Sequence, residues 1–173
     1  MILGLDISTS ITGVTIIDDD GNVILNEAWD TRKYKNFFKK ACVIHGKLED
    51  ISYKYKLTHI YIEQSLQSFR SGFSSAKTLS TLSRFNGVVS WMCYSFFNIE
   101  PEYIAATSAR KKCGIKIPKG TKAKQEVIKF VLDNVPDVDI MYTKHGNPRP
   151  ECFDKADSWV IANAGYLCQE EKN

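Results

Sequence analysis

Three short runs rich in β-forming residues occur in the segment ILGLDISTSITGVTIIDDDGNVILNEAW, residues 2–29. The first run covers residues 2–7 and the second covers residues 13–17. A turn signal, Asp-Asp-Asp-Gly-Asn at residues 18–22, separates the second run from a third at residues 23–29. Runs of this length divided by Gly, Asp and Asn are typical of strands joined by tight turns. The segment therefore predicts three consecutive antiparallel strands.

Helical periodicity begins after these strands. From residue 32 to residue 56, apolar side chains recur at alternating spacings of four and three while lysines fill other positions, which predicts an amphipathic helix packed on the sheet. The rest of the chain predicts, in order, a strand at 58–63, a polar loop at 64–74, a helix ending near Phe97, a strand at 102–106, a basic loop, a helix from about Thr121 to Asp133, an irregular segment at 136–150 and a last helix from about 153 to 168. This order predicts one α/β domain spanning residues 1–173, with a mixed five-stranded sheet flanked by helices.

Length and composition restrict the class of protein. A chain of 173 residues and 19.6 kDa that is 43% apolar has the material for one ordinary hydrophobic core. No apolar run reaches the length of a membrane span, and Asp6 interrupts the region where a signal peptide would continue. The five cysteines form no CxxC pair, so neither a disulfide framework nor a zinc site is indicated. We expect a soluble, cytoplasmic protein with reduced thiols and no membrane partner.

The net charge of +3 conceals a strong segregation of charge along the chain. Residues 1–31 carry six acidic and no basic side chains, whereas residues 32–56 carry eight basic and two acidic ones. Residues 108–129 carry eight basic and one acidic side chain, and residues 130–173 carry eight acidic and four basic ones. Solvated faces produce such runs, and so does a polyanion-binding surface beside a carboxylate-lined metal site. The charge pattern alone leaves both interpretations open.

Four acidic residues stand where strands and a helix would bring carboxylates together. Asp6 lies inside the first apolar strand, and Glu63 ends the fourth. Asp154 and Asp157 are three residues apart at the start of the last helix and so share one face. Each has a structural explanation when taken alone, since Asp154 could cap the helix and Asp6 could pair with a neighbouring turn. If all four converge, two divalent cations would balance their charge, and oxygen-only ligands favour Mg²⁺ or Mn²⁺.

Four motifs contain or adjoin these acids: Leu3-Gly4-Leu5-Asp6 with Thr12-Gly13-Val14, Ile62-Glu63-Gln64, Gly120-Thr121-Lys122-Ala123-Lys124, and Asp154-Lys155-Ala156-Asp157. In this order, over about residues 2–165, the chain resembles RuvC-type Holliday junction resolvases, which have the RNase H-like fold. The resemblance implies metal ligation and catalysis by the four acids, and a catalytic-site lysine at Lys124 with Lys122 as the competing register. Ile7-Ser8 replaces the family's usual Pro-Gly, and the 136–151 segment is extended. These departures indicate a divergent member of phage or viral type.

Two regions between the acids are candidates for contact with DNA. The basic loop near Gly114 would contact phosphate groups through its cationic side chains, which are Arg110, Lys112, Lys116, Lys119 and Lys122. In resolvases of this type the loop after the second acid lies near the junction centre, so the resemblance implies DNA contacts from Leu66, Phe69 and Arg70. Each region also has a structural explanation. The lysines of the basic loop could simply form a solvated surface, and the apolar side chains of the loop after Glu63 could pack on the core.

These features predict a metal-dependent, structure-selective endonuclease that resolves four-way and related branched DNA junctions in recombination and repair. The resemblance implies paired nicks with 5′-phosphate ends and two Mg²⁺ per site, for which Mn²⁺ could substitute. Two cuts in a symmetric junction favour a homodimer, with the small-residue face of the helix at Ala76–Ser90 as its candidate interface. Alternatives are an RNase H-like nuclease acting on flaps, branched DNA or RNA–DNA hybrids, and a non-catalytic junction-binding protein. A sugar-kinase-like ATPase needs two such domains and is disfavoured by length.

Overall fold

The computed structural model of the protein describes residues 1–64, 75–136 and 138–172. Within these residues the centre of the fold is a sheet of five strands, which are β1 (Ile2–Asp6), β2 (Ile11–Ile17), β3 (Val23–Asp30), β4 (His59–Glu63) and β5 (Glu102–Ile104). Their order across the sheet is β3-β2-β1-β4-β5. The first three strands are antiparallel, and β4 is parallel to both β1 and β5. The mixed five-stranded sheet predicted from the sequence is confirmed.

A tight turn joins β2 to β3 at the predicted place. The backbone N–H of Asn22 donates to the Asp18 carboxylate at 2.8 Å, and the Asn22 side-chain amide donates to the same group at 3.1 Å. Gly21 has a φ of 85°, a backbone conformation that glycine adopts without a steric penalty. The polar turn residues therefore satisfy one another and return the chain into β3.

Five helices accompany the sheet in the described part of the chain: α1 (Phe37–Lys54), α2 (Ala76–Phe97), α3 (Ala106–Lys112), α4 (Ala123–Asn134) and α5 (Pro150–Glu170). The prediction of a basic loop from about residue 107 was wrong at its start, because α3 occupies that position. This helix has seven residues and buries only Ala109, so it leaves no apolar period in the sequence. The last helix begins at Pro150 rather than near residue 153, and proline is well accepted in a first turn.

The helices lie on the two faces of the sheet. The core on one face joins apolar side chains of α1 and α2 to those of the sheet, and the core on the other face does the same with α3, α4 and α5. In α1 the buried residues follow the predicted spacing of three and four, and they are Ala41, Ile44, Leu48 and Ile51. Across the described residues, no helix is both long and apolar enough to cross a membrane.

Helix α5 packs unusually close to the sheet because glycines face it. A Cβ atom added to Gly4 would lie 2.4 Å from the backbone nitrogen of Ala162, and one added to Gly13 would lie 1.9 Å from the carbonyl oxygen of Asp154. Both distances are well below an ordinary van der Waals contact. The two glycines on β1 and β2 therefore set the height of α5 above the sheet.

Candidate active site

The C-terminal ends of β1 and β4 place two carboxylates side by side. Leu5 pairs with Ile62 in the parallel register, so the next residues, Asp6 and Glu63, leave adjacent strands together. Leu5 and Ile62 are fully buried, whereas both acids keep partial access to solvent. The carboxyl ends of parallel strands are a common position for functional sites in α/β folds. The strands thus bring the first two predicted acids to one end of the sheet.

Helix α5 brings the other two acids over the same end of the sheet. The backbone of Asp154 rests on Gly13, which is the strand partner of Asp6. Asp157 follows almost one turn later on the same face, and its side chain is only 13% exposed. The helix begins at Pro150, with Arg149 in the N-cap position. Asp154 is therefore inside the helix, and the alternative that it is only a cap is wrong.

The four carboxyl groups share one electrostatic environment. Burial, followed by the charges of Glu63, Asp157 and Asp154, raises the pKa of Asp6 well above its usual value. Burial and the charge of Asp157 raise the pKa of Glu63 to about 7. Burial also raises the pKa of Asp157, and it raises the pKa of Asp154 to about 6. Carboxylates act on one another in this way only when they are close, so the structure brings the four predicted acids together.

The donor chemistry of this acid cluster (Asp6, Glu63, Asp154 and Asp157) fits divalent cations that prefer oxygen ligands. All four groups are carboxylates, which suit Mg²⁺ or Mn²⁺ better than zinc. Within residues 1–64, 75–136 and 138–172, no three acidic, His or Cys side chains are already arranged to hold a metal ion. A bound cation would relieve the mutual repulsion that contributes to the raised pKa values of Asp6 and Glu63.

A lysine from α4 reaches the acid cluster. The Nζ atom of Lys124 lies 3.6 Å from Oδ2 of Asp157. Partial burial disfavours the charged ammonium, but Asp157, Asp154 and Asp6 outweigh this effect and raise the pKa of Lys124. Its side chain remains 62% exposed and is accessible to a ligand. Lys122, the competing candidate, is the exposed N-cap residue of α4.

The residues of the predicted basic loop lie in different places. Arg110 is close enough to Glu63 and Asp157 to lower their pKa values, so it lies at the edge of the acid cluster. Lys112 instead pairs with Glu171 at 2.6 Å, beyond the far end of α5. The structure does not bring Lys112 to the acids. The remaining lysines are exposed between α3 and α4, and they are Lys116, Lys119 and Lys122.

Three of the predicted DNA-contact residues follow β4. Leu66, Phe69 and Arg70 lie outside the described residues. Their assignment as DNA-contact residues therefore stays a prediction. Just after β4, the backbone N–H of Gln64 donates to the carbonyl oxygen of Ile104 at 2.9 Å.

One basic residue of the site was missed by the sequence analysis. Arg32, just after β3, lies near enough to Asp154 to lower the pKa of that carboxyl. Asp30 holds the Arg32 guanidinium through a contact of 2.6 Å. The available signal was its position as the first basic side chain of the chain, directly after 31 residues that have none.

A buried hydrogen-bond network fastens α5 to the sheet beneath the acids. The hydroxyl oxygens of Thr15 and Ser158 lie 2.8 Å apart, and both residues are fully buried. The side-chain amide of Asn26 donates to Thr15 Oγ1 at 2.7 Å and to the carbonyl oxygen of Lys155 at 3.0 Å. Because Ser158 adjoins Asp157, this network holds the rotation of α5 that presents the acid pair. The available signal was Thr15, a polar residue within the apolar run at residues 13–17.

The sheet order and the helices on both faces define an RNase H-like fold with carboxylates at the ends of β1 and β4 and on its last helix. No protein-family model and no curated protein matches the chain in sequence. Solved structures do match it. The chain is similar to Thermus thermophilus RuvC in complex with a Holliday junction substrate, at 13% identity and a TM-score of 0.69, covering 98% of this chain and 94% of that one.

Two further structures give the same result. Thermus thermophilus RuvC alone matches at 16% identity with a TM-score of 0.64, over 98% of this chain and 96% of that one. The yeast mitochondrial Holliday junction resolvase Ydc2 matches at 15% identity with a TM-score of 0.61, covering 98% of this chain and 79% of that one. The protein therefore has the fold of RuvC-type resolvases over nearly its whole length.

Proposed function

We propose that this protein is a metal-dependent endonuclease that selects four-way and related branched DNA junctions and cleaves them by phosphodiester hydrolysis. The observation that carries the proposal is the acid cluster, which stands on three separate segments of a RuvC-type fold. Buried carboxylates that raise one another's pKa destabilise a fold unless positive charge balances them, and such groups often mark functional sites. Divalent cations that assist phosphodiester cleavage would supply that positive charge.

Each acid has a proposed role in holding metal. Asp6, at the centre of the acid cluster, would be shared between two Mg²⁺ ions. Asp154 and Asp157 would complete the ligands of one ion, and Glu63 would complete those of the other. When bound, such a pair supplies an activated water and stabilises charge on the attacking and leaving oxygens. The expected products are nicks with 5′-phosphate ends.

Lys124 would act on the phosphate itself. Its raised pKa keeps the ammonium protonated at neutral pH, and its exposed side chain can reach a phosphate above the acids. A fixed positive charge there stabilises the negative charge that develops on the phosphoryl oxygens in the transition state. Its ammonium already lies 3.6 Å from Oδ2 of Asp157, beside the acid cluster. These placements favour Lys124 over Lys122 as the catalytic lysine.

A junction needs two cuts, and we propose that two copies of the chain make them. Helix α2 presents exposed small residues, Ser80, Ser83 and Gly87, beside Trp91, which is 65% exposed. Phe38 of α1 is 72% exposed and lines a groove of about 720 Å³ together with Gly87 and Trp91. An exposed apolar patch of this kind often marks a protein interface. A two-fold dimer through α2 would suit the two-fold symmetry of the junction.

The proposed function is tested with Asp6→Asn. The change removes the central charge and keeps the side-chain volume, so Mg²⁺-dependent cleavage of a labelled four-way junction should be abolished while junction binding is retained. Asp133→Asn is the matched control, because this exposed acid of α4 loses the same charge outside the acid cluster. Circular dichroism and thermal melting establish that both variants fold. Full cleavage by Asp6→Asn, or by the wild type in a chelator, would refute the mechanism.

The substrate is tested separately with a panel of four-way, three-way, flap, RNA–DNA hybrid and linear substrates. The proposal requires cleavage of the four-way or related branched DNA in preference to linear duplex. Preferred cleavage of hybrids or flaps would instead identify a different RNase H-like nuclease. Junction binding without any cleavage in Mg²⁺ or Mn²⁺ would identify a non-catalytic junction-binding protein.

A further inference from the structure

A second concentration of positive charge lies on the opposite side of the acid cluster from α3. The segment from Asp30 to Lys40 contains five basic side chains and one acid, and Asp30, that acid, is already paired with Arg32. No acidic residue occurs between Thr31 and Leu48. The basic side chains that face solvent are Arg32, Lys33, Lys35 and Lys39. Like charges this close repel one another, so their arrangement favours an anionic partner.

The segment is anchored to the turn that follows Asp6. The backbone N–H of Thr31, a fully buried residue, donates to the carbonyl oxygen of Ser10 at 2.8 Å. The Thr31 hydroxyl donates to the carbonyl oxygen of Thr9 at 3.1 Å, and the Lys40 ammonium donates to the same oxygen. Thr9 and Ser10 lie in the connection between β1 and β2. The basic segment is therefore held at the same end of the sheet as the acid cluster.

Arg32 marks where the basic segment meets the acids. Its guanidinium is held at its Nε and a terminal nitrogen by both oxygens of Asp30, at 2.6 to 3.0 Å. From this position it acts on Asp154, whereas Arg110 acts on Glu63 and Asp157. Because β3 and β4 lie on opposite sides of β1 and β2, the two arginines approach the acid cluster from opposite sides. A DNA strand lying across the acids would meet positive charge on both sides.

We propose that residues 32–39, termed here the β3–α1 basic segment, form a second contact with the DNA backbone, opposite Arg110 and the loop that carries Lys116 and Lys119. The inference rests on the proposed function for the identity of its polyanion. Exposed lysines on a rigidly anchored segment contact phosphates without reading sequence. The segment would therefore position the strand over the acids and leave the choice of bases to other parts of the protein.

The experiment measures how salt weakens DNA binding. The test variant is Lys33→Gln with Lys35→Gln, and the control is Lys54→Gln with Lys56→Gln. Both variants remove two exposed lysines from the same basic stretch of sequence, but the control pair lies about 26 Å away, at the other end of α1. Binding of a fluorescent four-way junction and of a linear duplex is measured in a chelator between 50 and 200 mM KCl. All substituted side chains are exposed, and thermal melting checks that both variants fold.

The expected result is a smaller salt dependence for the test variant only. Each lost phosphate contact lowers the slope of log K against log [salt] by about 0.9, so two contacts lower it by about 1.8. When KCl is raised from 50 to 200 mM, the affinity of the test variant should therefore fall by a factor about 12 times smaller than that of the wild type. The control should retain the wild-type slope.

Other outcomes separate the inference from the proposed function. An unchanged slope in the test variant, or an equal fall in both variants, would overturn the inference and leave the nuclease proposal intact. A selective fall in the test variant supports the segment as a DNA contact even if the wild type cleaves no branched substrate. If the wild type binds neither the four-way junction nor the linear duplex, both the inference and the proposed function are overturned.

Discussion

Gly13→Ala should disable the site without touching any acidic residue. Gly13 is the strand partner of Asp6, and the backbone of Asp154 rests directly on it. An added Cβ atom would lie 1.9 Å from the Asp154 carbonyl oxygen and 2.5 Å from its carbonyl carbon. Both neighbours are helix backbone, which cannot rotate away as a flexible side chain would. The N-terminal part of α5 must therefore lift.

The expected size of the effect follows from this clash. Restoring an ordinary contact of 3.4 Å to the carbonyl oxygen requires a shift of about 1.5 Å. Crowding of this kind costs about 1–3 kcal/mol of the free energy of unfolding, less than the usual stability of a domain of roughly 5–15 kcal/mol. The variant should therefore fold with a lower melting temperature. A misplacement of about 1 Å costs roughly 100-fold in rate, so cleavage should fall by about 100-fold or more.

The assay is single-turnover cleavage of a four-way junction at several Mg²⁺ concentrations, with junction binding measured separately in a chelator. Binding should change little, because the basic surfaces are untouched. The control is Gly46→Ala in α1, where an added Cβ atom meets nothing within 4 Å and a helix gains up to about 1 kcal/mol. Wild-type cleavage and an unchanged Mg²⁺ dependence in Gly13→Ala would refute the claim that this glycine sets the position of the acid pair.

Three further predictions test the charges and the interface. Lys124→Gln should lower single-turnover cleavage by about 100-fold while Lys122→Gln stays near the wild-type rate, and the reverse order would assign the role to Lys122. In a chelator, the melting temperature should fall by about 10 °C or more between pH 4.5 and pH 7.5, because the pKa of Glu63 is raised to about 7 and that of Asp154 to about 6. Within this pH range the folded protein holds protons that the unfolded chain has released, so its stability is lost as the pH rises. Saturating Mg²⁺ should flatten the dependence of the melting temperature on pH. A melting temperature that increases with pH in a chelator would contradict this prediction. Trp91→Arg should weaken the proposed dimer by about 30-fold, as for loss of a 2 kcal/mol hot spot, and light scattering that finds the same oligomer in variant and wild type would exclude Trp91 from an interface.

The strands and acids could be predicted from the sequence because their signals are local. A carboxylate in an otherwise buried strand, as at Asp6, is costly and therefore informative. The Asp-Asp-Asp-Gly-Asn turn and the apolar runs around it locate the first three strands without any knowledge of the rest of the chain. The three-residue spacing of Asp154 and Asp157 likewise gives their shared face as soon as a helix is assigned.

Other parts of the site depend on contacts that no local pattern records. Arg110 and Lys112 are two residues apart, and both were predicted to contact DNA. Because α3 is a helix, residues at this spacing project in different directions. One therefore faces the acid cluster and the other pairs with Glu171. Arg32 reaches Asp154 only because β3 and α5 are packed together, a contact across more than a hundred residues. Such placements depend on the tertiary structure and not on residue type.

The distribution of charge explains why the acid cluster is not neutralised by its own basic neighbours. Lys124 is 62% exposed, and the side chain of Arg32 is 50% exposed. Ion pairs at this exposure are screened by water and contribute little, so they lower the carboxyl pKa values without cancelling the effect of burial. The carboxylates therefore retain unmet negative charge, which a divalent cation can balance. For the same reason the exposed ammonium and guanidinium groups remain available to phosphate, so one arrangement of charge can serve both metal and DNA.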